Sequence, residues 1–80
     1  MSNTPHELHD EFPLDADRIH ALKISDQHFA GLIDGYNEVN RTVHRMETNI
    51  EAVADEVLEG FKKQRLELKD RIAAALAKVA

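Results

Sequence analysis

Two runs of residues spaced by alternating threes and fours constrain this chain more than anything else in it. The first is Phe29, Leu32, Tyr36, Val39, Val43 and Met46, and the second is Leu58, Phe61, Arg65, Leu68, Ile72 and Ala75. Such spacing keeps one stripe of a helix turned toward a partner helix. Read in opposite directions, the runs match residue for residue: Met46 with Leu58, Val43 with Phe61, Val39 with Arg65, Tyr36 with Leu68, Leu32 with Ile72, Phe29 with Ala75. The two residue numbers of every pair add to 104. The seam is therefore a mirror image about residue 52, as a chain folded back on itself needs. It predicts an all-α fold, an antiparallel, coiled-coil-like helical hairpin with a short N-terminal helical segment.

The rival is one helix from Ser25 to Lys78 that pairs with a second chain. The second run is one residue out of heptad phase with the first, and the two arms are equal at about 24 residues, or ~36 Å, each. Both features favour the turn, although a continuous coil can absorb such a slip. The local turn signal is poor, since 49–55 holds neither Gly nor Pro. Asp55 is the expected N-cap of the second arm, with Glu56 and Glu59 in its first turn.

Eighty residues make one small domain, and a chain of that size buries only about 60% of its unfolded surface. The first arm contains Gly31 and Gly35, each worth roughly 1 kcal/mol against helix relative to alanine. They are read as tolerated surface glycines or as a smooth strip for another backbone. Arg65 is the charged member of the seam, and a head turned outward to Glu38 is the expected arrangement.

Upstream, Thr4-Pro5-His6-Glu7 is a helix start: Thr4 caps, Pro5 takes the first helical position and Glu7 reaches back. Pro13 closes that helix near Phe12, leaving residues 1–12 as a loosely ordered arm with Leu8 and Phe12 one turn apart. A short helix over 13–24 follows, with Asp15 and Asp17 near its N-terminus and Ile19 and Leu22 as its apolar edge. Ser25 is expected to cap the first hairpin helix over 25–49. A turn at 50–55 leads into the second helix over 56–78. Ile33, Leu66 and Leu76 lie beside the seam, where the N-terminal segment or a second hairpin could cover them.

Chemistry is hard to find. There is no cysteine, hence no disulfide and no thiolate metal site. His6 and His9 stand three apart beside Asp10, and His44 stands three from Glu47. Neither pair supplies the third ligand that a bound ion needs. No paired carboxylates in a cleft, no hydroxyl nucleophile in a strained turn and no Gly-rich phosphate loop can be assembled. The chain is not expected to be an enzyme, and no cofactor is expected. No signal-peptide run and no stretch of ~18 apolar residues is present, so the expectation is a soluble cytoplasmic protein with no membrane contact.

The net charge of −5 is uneven: residues 1–25 and 26–53 each carry −3, and residues 54–80 carry +1. The one basic cluster is Lys62-Lys63-Gln64-Arg65 with Lys69 and Arg71, interleaved with Glu59, Glu67 and Asp70. Overall acidity and the lack of stacking aromatics argue against nucleic acid as a partner. A nucleic-acid accessory role for that face stays as the alternative to a protein partner or a homo-oligomer.

The stretches "IHALK", "FAGLIDGYNEVNRTVHRME" and "KKQRLELKDRIAAAL" resemble the YdcH-like proteins, small bacterial polypeptides. The resemblance spans about Phe12 to Leu76, and is most specific at Tyr36-x-x-Val39, Arg45-x-Glu47 and Arg65-x-x-Leu68-Lys69-Asp70. It implies an α-helical hairpin, and it implies no activity, cofactor or partner. One departure is Ala54, where the family often carries a small polar capping residue.

Overall fold

A computed structural model describes residues 6–48 and 53–78 of the chain. Four helices follow in order: α1 (Leu8–Glu11), α2 (Ala16–Ser25), α3 (Gln27–Glu47) and α4 (Asp55–Lys78). There is no strand among the described residues. The long helices α3 and α4 pack against each other, so the chain is an all-α helical hairpin and not a single rod. Its longest dimension, 40 Å, is close to the length of one 24-residue helix.

Local chemistry sets the boundaries. Pro13 follows Phe12, the last residue around α1, because the residue before a proline is pushed out of helical geometry. Between α2 and α3 the chain breaks at Asp26, whose backbone is extended (φ −133°, ψ 106°). The cap of α3 falls on Asp26 and not on the expected Ser25: Asp26 Oδ1 accepts from Phe29 N at 3.1 Å. Ser25 is the last residue of α2, and its hydroxyl donates backward to the Ala21 carbonyl at 3.0 Å. A carboxylate three residues before a free N–H is the stronger cap of the two, since it also answers the helix dipole.

The far end of α3 is closed by Thr48. Its backbone N–H donates to the His44 carbonyl, and its Oγ1 donates to the carbonyls of His44 and Arg45, the latter one of the groups a helix end leaves without a backbone partner. α4 opens one residue earlier than expected. Ala54 precedes it, with its carbonyl accepting from Leu58 N at 3.2 Å, and Asp55 and Glu56 sit in the first turn. Of the expected turn, 50–52 lie outside the described residues, as do the expected cap Thr4 and Pro5.

The core gathers at the end of the hairpin away from the turn. Leu8, Phe29, Ile33, Tyr36, Ile72 and Leu76 form one buried cluster, with Phe12, Ile19 and Leu22 packed on it from the N-terminal segment. α2 is tied across the hairpin by Arg18, whose Nη1 donates to the Leu76 carbonyl at 3.4 Å. That bond satisfies one of the last carbonyls of α4. No helix among the described residues is long and apolar enough to cross a membrane.

Candidate functional site

Helical spacing divides the hairpin into two flanks. On α3, Ile33, Tyr36 and Asn40 lie along one side, and Leu32, Gly35 and Val39 along the other. The first flank is covered. Leu8 of the N-terminal arm is buried against Ile33 and Tyr36 in the core cluster, and a polar clasp fastens the arm down. Tyr36 Oη donates to the His6 carbonyl at 2.6 Å. Glu11 bridges the arm to α4: Oε1 lies 2.9 Å from His6 Nδ1 and Oε2 lies 3.4 Å from Lys69 Nζ. His6 itself has a left-handed backbone, φ 60°, an uncommon state for a residue with a side chain.

The clasp sets two ionisation equilibria. Burial pushes the Tyr36 hydroxyl up to about 12, and the negative charge of Glu11 adds to it. For Glu11, burial pushes the carboxyl up, but the hydrogen bond from His6 and the charge of Lys69 outweigh it and hold the group below its ordinary value. Beneath the clasp, Asn40 is buried at 1% exposure, and its Oδ1 accepts from Arg65 Nη1 at 3.1 Å. Arg65 thus reaches the amide of Asn40 and not the expected Glu38, which is exposed. The reason is the phase of the packing: residue 40 faces inward and residue 38 faces water.

The same phase places the expected seam residues. Phe29, Tyr36, Val43, Met46 and Ile72 are buried, whereas Leu32, Val39, Leu58, Phe61, Arg65, Leu68 and Ala75 are only half-buried. Ile33, Asn40 and Leu76, outside the expected seam, are buried. Of the three apolar residues beside the seam, Ile33 and Leu76 are covered and Leu66 stays 58% exposed.

The second flank is open. Near its far end lies a cleft of about 380 Å³, floored by Leu22, Phe29, Leu32 and Ala75 and rimmed by Asp26, His28, Arg71 and Lys78. Farther along, Leu68 lies against Gly35, where an added Cβ would meet its Cδ2 at 3.7 Å. At Gly31 an added Cβ would meet nothing within 4 Å. Neither glycine is pressed by another backbone.

The remaining candidate groups are engaged singly. His9 Nε2 lies 3.5 Å from Asp10 and Glu47 lies 3.3 Å from Lys62. No three His, Asp or Glu side chains converge on a possible ion among the described residues. In the basic cluster, Lys62 pairs with Glu47 and Glu59, Lys69 with Glu11 and Arg65 with Asn40.

The model of a family described as "Protein of unknown function (DUF465)" matches residues 29–76, which is most of α3 and nearly all of α4. Neither a curated protein nor a solved structure matches the chain. The matched segment is the hairpin without its N-terminal cover, and on it the chain belongs to the DUF465 family, which includes the YdcH-like proteins.

Proposed function

We propose that the chain is a non-enzymatic helical hairpin that acts through protein–protein contact, first of all with further copies of itself. One observation carries this reading, the difference between the flanks. The N-terminal arm covers one, while the other, with Leu22 of α2 at its far end, keeps Leu32, Val39, Phe61, Leu68 and Ala75 half-buried and Val57 exposed. In a chain of 80 residues a lone core supplies little stability. A contiguous apolar flank rimmed by charge is the form a contact surface takes. A cytoplasmic location belongs to the same proposal and agrees with a sequence that has no cysteine.

Nucleic-acid contact through the Lys62–Arg71 face is the weaker reading, because Lys62 and Lys69 already spend their charge on Glu47, Glu59 and Glu11. Light scattering on the full chain at micromolar concentration tests the stronger one. The expected mass is a multiple of the 9.1 kDa of one chain, and a strict monomer refutes self-association.

A further inference from the structure

The open flank follows α4 for nearly its whole length. Three depressions succeed one another along it, consecutive ones sharing first Gln64 and then Arg71. At the turn end Val57, 44% exposed, stands beside Phe61. At the far end lies the cleft between Leu32 and Ala75. Nothing bulky keeps a helix away, since Ala74 is exposed and a Cβ at Gly60 would meet no atom within 4 Å.

Charge runs along the same helix in one sense. Asp55 and Glu56 open α4, and Arg71 and Lys78 border the far cleft beside one carboxylate, Asp26, which already accepts from the Phe29 N–H. Among the described residues, no carboxylate pairs with either of those two cations. The helix dipole runs in the complementary sense. A strip with an acidic end, a basic end and, between them, Leu68 flanked by Gln64 and Glu67 is its own complement in end charge when reversed.

We infer that the open flank is completed by a second copy of this chain, its α4 antiparallel to the first about a two-fold axis near residues 64–68. Val57 of each copy enters the far cleft of the other, and Glu56 meets Arg71 and Lys78. Each contact is made twice, as a two-fold interface requires. The two hairpins then form a four-helix bundle with the N-terminal arms on its outside. A parallel arrangement would set Glu56 against Glu56 and Arg71 against Arg71. The inference rests on the self-association proposed above and names the face responsible.

Sedimentation velocity on the full chain over a concentration series tests it. Glu56→Arg and Arg71→Glu are each expected to weaken the dimer by about tenfold, and the double variant to recover most of that loss. Ala74→Glu, which puts a charge into the apolar strip, is expected to weaken it at least as much. All three positions are exposed, so circular dichroism should report unchanged helicity and separate lost contact from lost fold. A dimer indifferent to all these changes overturns this face while leaving self-association standing. Single reversals without recovery in the double variant overturn the antiparallel pairing. A wild-type chain that is monomeric at every concentration overturns both this inference and the reading it rests on.

Discussion

The two flanks of the hairpin are built from interleaved residues of the same helices, yet they end in different states. On the covered flank Ile33, Tyr36, Ile72 and Leu76 are buried with Leu8, and the polar groups beside them are bonded. On the open flank Leu32, Val39, Phe61 and Leu68 stop at half burial. Nothing in residue type separates the two sets, since both are mainly aliphatic and aromatic. What separates them is the N-terminal arm, which reaches one side only. The apolar stripe of α3 is wider than one partner helix can cover, and a third element decides which half becomes core.

Adjacent residues give the sharpest contrast. Ile33 is 2% exposed in the core cluster and Leu32 is half-buried on the other side. Ile33→Ala is expected to cost about 3 kcal/mol, in the range for a buried aliphatic cut to alanine. Leu32→Ala should cost half as much, ~1.5 kcal/mol, because Leu32 packs at the edge of the core and is only partly covered. For a domain this small the melting temperatures of the two variants should differ by ~10 °C. Equal losses, measured by thermal melts in dilute solution, would mean that the flanks do not differ.

Positions 32 and 33 also show how much of this could be read from the sequence. The hairpin and its antiparallel sense follow from the spacing, because Phe29, Tyr36 and Val43 belong both to the expected row and to the buried one. Between those shared positions two rows are possible, 32 and 39 or 33 and 40. Counting apolar residues favours the first, since residue 40 is an asparagine. Asn40 is buried nonetheless because Arg65 donates to it across the hairpin, a pairing that no periodicity reveals. Leu8 and Phe12 mark the arm as a candidate cover for Ile33, but the bonds that fasten it are illegible: Glu11 is distant in sequence from its partner Lys69, and His6 from Tyr36. At 25 and 26 the difficulty is one of competition, as Ser and Asp are both good caps and the structure uses the second.

The clasp can be opened from either end of the pH scale, and that isolates the arm's share of the difference. Tyr36 has its hydroxyl raised from 10.0 to about 12. Its neutral form is the one the fold favours, so its contribution is complete below pH 10 and fades as pH climbs toward 12. Glu11 is lowered from 4.5; its contribution is complete above that value and is lost as pH falls through the depressed one. Tyr36→Phe leaves the His6 carbonyl without its donor and should cost about 1 kcal/mol at neutral pH. The variant should also lose the alkaline part of the stability curve, and Glu11→Gln should flatten the acid part. The chain has one tyrosine and no tryptophan, so ultraviolet titration of the tyrosinate reads the clasp directly. A midpoint near 10 in the folded protein would show that the arm does not shield Tyr36, and the covered flank would then be covered in name alone.

The smallest expected effect concerns the glycines of α3, and it probes the open flank without cutting anything away. Alanine favours a helix over glycine by about 1 kcal/mol, and that gain is available wherever a Cβ finds room. At Gly31 it meets nothing within 4 Å, and at Gly35 it meets Leu68 Cδ2 at 3.7 Å, an ordinary contact. Gly31→Ala should therefore raise the melting temperature by a few degrees. Gly35→Ala should raise it at least as much, because its methyl adds apolar contact to the helix gain. The pair differ in what a loss would mean. A destabilised Gly31→Ala would contradict only the free space around one exposed position. A destabilised Gly35→Ala would mean that α4, or whatever lies over Leu68, comes closer to α3 than 3.7 Å allows, and the open flank would be a closed one.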